Sequence, residues 1–314
     1  KRKLSAPIPA PVETGGMVVV AERECHALHA LSATDGKPAF ELPYRGEWPP
    51  DVDPGDYPLG NPTFYHFANN DRLNPYIKDD DKPFNWLRAD IFGGRSVLWG
   101  RQSYRWSEID FEANQRDGNG IDWPIRYRDL APWYSRVEDF IGVSGEKLGL
   151  RQLPDGEFLP PMDLSIAEKH FKSAVADAFD GRVVTIGRTA NLTKPKPEHG
   201  RGQCMYRNQC MRGCAYGAYF STQSSTLPAA TATGNLTTRA DALVESLEYD
   251  PTSGRVIGVR VIDTKTRERT LLRARIVFLN ASCVASTQIL LNSKSAAAPN
   301  GLGNNHDVLG RYLM

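Results

Sequence analysis

The hydrophobic pattern changes period several times along the chain, and each change predicts an element. Val18, Val19, Val20 and Ala21 run apolar without a break before polar Glu22, which predicts a short buried parallel strand. Further on, Leu130, Trp133, Tyr134, Val137 and Phe140 or Ile141 recur at helical spacing, with Asp129 placed to cap the start. A second helix is predicted over "SIAEKHFKSAVADAFDG". There Ser165 and Glu168 make a capping box, Phe171, Val175 and Phe179 share a face, and Gly181 ends the helix. From about residue 235 the pattern turns β-rich. "NLTTRADALVESLEYD", "GRVIGVRVID" and "TLLRARIVFLN" predict strands of a hairpin or meander. "IVFLNAS" predicts a further apolar strand, and "ASTQILLNSK" the helix that follows it.

Residues 33–81 carry little periodicity. "PDVDPGDYPLGNP" is a train of turns, yet Trp48, Tyr57, Phe64, Tyr65 and Phe67 are interleaved around it. Aromatics at that density predict an ordered excursion that packs on something. The 314 residues suffice for one large or two ordinary domains. With 38 basic and 37 acidic side chains and no like-charge block, nothing marks a partner in nucleic acid or a charged lipid surface. No apolar run reaches membrane-spanning length, and "GGMVVVA" is too short. No targeting segment is legible, so the compartment is left open between periplasm and cytoplasm.

Three places carry candidate chemistry. "FGGRSVLWG", Phe92 to Gly100, drops two Cβ atoms at Gly93 and Gly94, then offers Ser96 and Trp99. On residue types alone this is a tight turn or a surface for close approach to a flat, charged group. The strand ending at Glu22 has the form of a dinucleotide-binding strand, whose terminal acid accepts hydrogen bonds from ribose hydroxyls. An ordinary solvated strand end reads the same way. The partner motif G-x-G-x-x-G is absent upstream, and "GLGNNH" at Gly301 lacks its third glycine. The third place is "CMYRNQCMRGC", with Cys204, Cys210 and Cys214 spaced C-x5-C-x3-C. Zinc wants four ligands, and the nearest histidine is His199. Three thiolates suit a three-iron cluster, a single disulfide or metal-free thiols. Cys25 and Cys283 stand alone and read as small buried residues.

Several of these segments, taken in order, resemble the glucose–methanol–choline (GMC) family of flavin oxidoreductases, in its bacterial branch acting on sugars, glycosides or sugar acids. "VVVAERE" resembles the family's second strand, "FGGRSVLWGRQSYRWSEIDF" its first signature and "LNASCVASTQILLNSK" its second. "DWPIRYRDLAPWYSRVEDFIGVSG" and "GLGNNHDVLGRYLM" are similar to the branch at matching places. The resemblance implies an α/β chain with a split FAD-binding, Rossmann-like domain and part of a substrate-binding domain, truncated at both ends. Residues 1–32 and 235–314 would belong to the FAD domain, 33–145 would cover the flavin, 146–203 would lie on the substrate side, and 204–234 would form a Cys-rich loop and connection.

By the same resemblance, Glu22, Gly93, Gly94, Ser96, Trp99, Gly100, Val244, Ala281 and Ser282 would contact FAD. The position before Trp99, where some relatives link the flavin covalently, is Leu98, which implies non-covalent FAD. No catalytic residue is expected within the chain. The family's proton-accepting pair would follow Met314, and the diphosphate-binding glycines would precede Lys1. Relatives with the same cysteine spacing pass electrons through a [3Fe-4S] centre to a cytochrome, and others carry a fourth cysteine where Arg207 stands. The implied reaction is hydride transfer from a CH–OH carbon to flavin, with a carbohydrate or alcohol as substrate. A cytochrome or small subunit would accept the electrons. Two alternatives stay open: an iron–sulfur electron-transfer part of a dehydrogenase complex, and a flavin-fold remnant without catalysis. Arg101, Gln102 and Arg105, just after the glycine motif, could meet substrate or flavin oxygens, although such residues are more often structural ion-pair partners.

Overall fold

The computed structural model describes residues 12–14, 17–22, 27–32, 38–43, 53, 65–82, 84–89, 91–208, 210 and 213–311, with side chains described from residue 53 on, His66 excepted. The chain divides into two units, Lys1–Leu236 and Thr237–Met314.

The first unit opens with a four-stranded meander: β1 (Val12–Thr14), β2 (Met17–Glu22), β3 (Ala27–Ser32) and β4 (Pro38–Pro43), in that order across the sheet. Every neighbouring pair is antiparallel. The parallel strand expected at Val18–Ala21 is therefore corrected. Thr14 pairs with Met17 across Gly15-Gly16, a two-residue spacing that suits a hairpin and leaves no length for a parallel crossover. Residues 33–81, expected to carry little periodicity, contain β4. Trp48, Tyr57 and Phe64 lie outside the described residues.

After the glycine motif come α1 (Glu108–Phe111), α2 (Ala113–Asp117) and α3 (Tyr127–Ile141). Arg126, not Asp129, is the N-cap of α3. Asp129 sits three residues in and takes the Arg126 backbone N–H at 2.8 Å. The face that α3 buries also differs from the expected stripe. Glu138 is buried, while Trp133 and Val137 are more than half exposed. Next come α4 (Ile166–Ala178) and α5 (Thr226–Ala232). α4 has the expected capping box, with the Glu168 N–H donating to Ser165 Oγ and the Ser165 N–H to Glu168 Oε2. Phe171 on α4 and Phe179 at its C-cap are nevertheless exposed.

The core of this unit is built from loops rather than from helix faces. Short bridges join Gln102 and Ser144 to Thr189, and Asn191 to Tyr219. Val143, Ala190, Leu192 and Ala218 are buried there with hardly any exposure. Backbone in such a core needs polar partners, and buried arginines supply them. Arg188 donates to the Pro154 carbonyl at 2.6 Å and to Asp155 at 2.8 Å. Arg201 donates to the carbonyls of Gly217 at 2.8 Å and Ile141 at 2.7 Å.

The second unit is a three-stranded antiparallel meander, β5 (Ala242–Asp250), β6 (Arg255–Asp263) and β7 (Arg269–Arg273), with α6 (Cys283–Asn292) packed on β5. Ser293 Oγ fastens them, accepting from the Leu247 N–H at 2.8 Å and donating to the Ile289 carbonyl at 2.6 Å. The meander and the helix follow the sequence pattern. The strand expected at "IVFLNAS" is corrected: residues 276–282 are irregular, with Ile276 and Phe278 exposed. A strand has no hydrogen bonds of its own, and among the described residues none runs beside this one. Both sheets are thus antiparallel among the described residues, and helices with antiparallel sheet are consistent with the α/β class expected.

Candidate functional site

The glycine motif folds as a turn into a 3-10 segment, Gly94–Val97, with Gly93 at φ 96° and Gly94 at φ 55°. Both angles lie in the left-handed region that glycine enters freely. The turn is fastened to a segment 126 positions later in the chain. Ser96 Oγ donates to the Gly93 carbonyl at 2.6 Å and accepts from the Thr222 N–H at 3.0 Å. Thr222 Oγ1 donates to the same Gly93 carbonyl at 3.1 Å, and Gln223 Nε2 donates to the Phe92 carbonyl. Trp99 Nε1 donates to the Phe220 carbonyl at 2.9 Å, while the Tyr219 hydroxyl donates to the Trp99 carbonyl at 3.0 Å. The Trp99 and Phe220 rings meet edge to face at 5.9 Å. Burial pushes the Tyr219 hydroxyl up to about 12, so it stays a donor.

This arrangement separates the two glycines. A Cβ on Gly93 would stand 2.9 Å from Gln223 Cγ and 3.1 Å from Thr222 Oγ1, so Gly93 is small in order to seat the protein's own segment. Among the described residues, a Cβ on Gly94 would meet nothing within 4 Å, and the same holds at Gly100. The turn therefore presents open, Cβ-free surface at Gly94 and Gly100, which fits the approach of a flat group. The hydroxyl of Ser96 and the indole N–H of Trp99 are engaged within the protein.

Beyond the turn, a cleft of about 310 Å³ collects the three clustered cysteines, with Arg101, Asn191 and Arg207 also in its wall. Cys204, Cys210 and Cys214 are all free thiols, which removes the disulfide alternative. Asn191 is 5% exposed, and its Oδ1 has no hydrogen-bond partner among the described residues. Arg201 stands near Cys214. Burial lowers its guanidinium to about 10, and the Cys214 charge works in the opposite direction. As they stand, no three His, Cys, Asp or Glu side chains among the described residues form a group that could hold a metal ion.

The remaining expected residues fall elsewhere. Glu22 ends β2 opposite Ala27, at the mouth of the β2–β3 hairpin, and its side chain lies outside the described residues. Val244 is half-buried on β5, beside a register shift. Ala281 and Ser282 are exposed ahead of α6. Ser282 is its N-cap at φ 71° and ψ 162°, backbone that only glycine adopts readily, and its side chain makes no capping bond. The structure thus brings Gly93, Ser96 and Trp99 into one clamp and the three cysteines into one cleft, and it assigns Val244, Ala281 and Ser282 to the second unit. Arg105 is an ion-pair partner, as its type suggested. Sequence reasoning missed Thr222 and Gln223. Their only local signal is the polar run "STQSS" after the cysteines.

The GMC oxidoreductase family model matches residues 12–311. The chain belongs to the GMC oxidoreductase family. Among curated proteins it is similar to a 2-methyl-1,2-propanediol dehydrogenase of Mycolicibacterium austroafricanum, at 28% identity over 71% of this chain and 40% of the relative. It is also similar to a 6'''-hydroxyparomomycin C oxidase of Streptomyces lividus, at 27% over 74% of this chain and 42% of the relative. A fructose dehydrogenase large subunit of Gluconobacter japonicus matches at 24% over 71% of this chain and 40% of the relative. The chain spans about two fifths of the length of these relatives. Among the described residues no helix is long and apolar enough to cross a membrane.

Proposed function

We propose that this chain is the flavin-holding part of an FAD-dependent oxidoreductase that oxidises a CH–OH group of a sugar, glycoside, sugar acid or related alcohol. The observation that carries the reading is the family match over residues 12–311, which implies FAD. FAD, when bound, supplies the acceptor for the hydride leaving the CH–OH carbon. In the first unit the clamped turn offers its open backbone at Gly94 and Gly100, with Ser96 and Trp99 holding its shape and Glu22 as the ribose-binding acid. In the second unit the contacts assigned are Val244, Ala281 and Ser282. Leu98 offers no bond to the flavin, so the cofactor is held non-covalently. The base that takes the hydroxyl proton is assigned to no residue of this chain.

Anaerobic visible spectroscopy of the full-length protein tests this. Flavin bands that bleach on adding an alcohol or sugar substrate support the reading, and a colourless protein that binds no FAD overturns it.

A second reading rests on the cleft. Three free thiols share it with two guanidinium groups, a donor set and charge that suit an anionic thiolate-bound centre such as [3Fe-4S], with a cytochrome or small subunit beyond it. The thiols would have to close in to hold it, since they form no metal-holding group as they stand. Iron and acid-labile sulfide assays decide this, with loss of both on Cys210→Ala as the supporting result. Flavin without iron leaves the cysteines as plain thiols.

A further inference from the structure

We infer that Thr222 is a positioning residue for the flavin: it latches the Gly93–Gly100 turn in the shape that the cofactor meets. The inference rests on the flavin reading above and goes beyond it, because Thr222 lies in neither family signature and was singled out by geometry alone.

Thr222 reaches the turn at three points. Its N–H donates to Ser96 Oγ at 3.0 Å, its hydroxyl donates to the Gly93 carbonyl at 3.1 Å, and the two hydroxyl oxygens stand 3.0 Å apart. Ser96 Oγ donates to that same carbonyl at 2.6 Å, so Gly93 O accepts from both hydroxyls. A carbonyl held by two donors fixes the peptide plane between Gly93 and Gly94, and that plane sets where the open surface of Gly94 points. On the other side of that plane the Gly94 N–H donates to the Ile91 carbonyl at 2.8 Å, so Thr222 adds the contacts that tie the turn to a distant segment. The glycine at 93 also makes sense only with this latch. Its φ of 96° and its missing Cβ both serve to admit Thr222 and Gln223.

The hydroxyl of Thr222 can be removed without changing the size of the side chain. Thr222→Val deletes one of the two donors to Gly93 O, and Thr222→Ser keeps it. On the full-length protein, Thr222→Val should weaken FAD binding about tenfold, the size of one lost hydrogen bond, and should shift the visible band of the bound flavin. Thr222→Ser should restore both. Hydrogen–deuterium exchange of the 91–99 peptide, followed without added FAD, should quicken in Thr222→Val and not in Thr222→Ser. Ser165→Ala, which removes the cap of α4, serves as a control for general destabilisation and should leave the flavin unchanged. FAD affinity, spectrum and exchange all equal to wild type in Thr222→Val would overturn the latch while leaving the flavin reading intact. Equal loss of FAD in Ser165→Ala would also overturn it. A wild-type protein that binds no FAD overturns both.

Discussion

Arg105 donates to the Glu138 carboxylate from two nitrogens, Nε at 2.8 Å and Nη2 at 2.5 Å, and both side chains are almost wholly buried. The hydrogen bond to Glu138 is the main reason the Arg105 guanidinium is held above its ordinary range, with burial opposing it. Glu138 Oε2 also takes the Glu157 N–H at 3.0 Å, so one carboxylate ties α3 to two other stretches of chain. Removing one partner leaves a buried charge alone. Arg105→Met or Glu138→Gln should each cost about 3–5 kcal/mol in urea unfolding, whereas Arg105→Met with Glu138→Leu should recover most of the loss.

Asp155 gives the fold a specific acid sensitivity. Burial alone would raise its carboxyl, but the Leu148 and Gly149 amides and Arg188 outweigh that and hold it below the ordinary 3.8. A carboxyl depressed in the folded state contributes stability in full above its unfolded value and loses it as pH falls through the folded one. Asp155→Asn should therefore lower stability at neutral pH and flatten the decline below about pH 4. Urea midpoints measured from pH 7 down to about 2 check this, and parallel curves for the two proteins would contradict it.

The two glycines of the turn should separate stability from cofactor binding. Gly93→Ala meets Gln223 Cγ at 2.9 Å as well as strained backbone, and should destabilise by about 3 kcal/mol. Gly94→Ala meets no atom of the described residues and bears only the left-handed penalty, about 1 kcal/mol. Its methyl would project from the surface assigned to the flavin. Melting temperature should fall more for Gly93→Ala, while Gly94→Ala should lose FAD out of proportion to its stability.

Ser282 holds backbone angles suited to glycine and uses its side chain for no cap. Ser282→Gly should therefore stabilise the protein by about 1 kcal/mol. If the strain serves to set the start of α6 for a ligand, the more stable variant should bind FAD less well. Calorimetry beside a flavin titration reads both quantities.

What the sequence disclosed, and what it hid, follows from the range of each interaction. The α4 capping box, the meander after residue 235 and α6 all arise from neighbours within a few positions, and all were legible. The direction of β2 was misread, although Gly15-Gly16 between two strand-forming runs is a hairpin signal. The apolar run outweighed it. The glycine motif was found, but half of its reason was not, because Thr222 and Gln223 lie more than a hundred residues away and nothing local to Gly93 announces them. Arg188 and Arg201 stayed hidden for a different reason. An arginine in a sequence reads as surface, and its burial depends on carbonyls that only the folded loops bring together.

One continuous stretch of chain joins the two candidate sites. Cys214, Ala215 and Tyr216 line the cleft, and Tyr219, Phe220 and Thr222 fasten the glycine turn. Arg201 clamps the middle of that stretch, at the carbonyl of Gly217. The segment works as a ruler pinned at three points. Lengthening it by a single residue would leave one end out of register, so it can change its side chains over evolutionary time far more readily than its length.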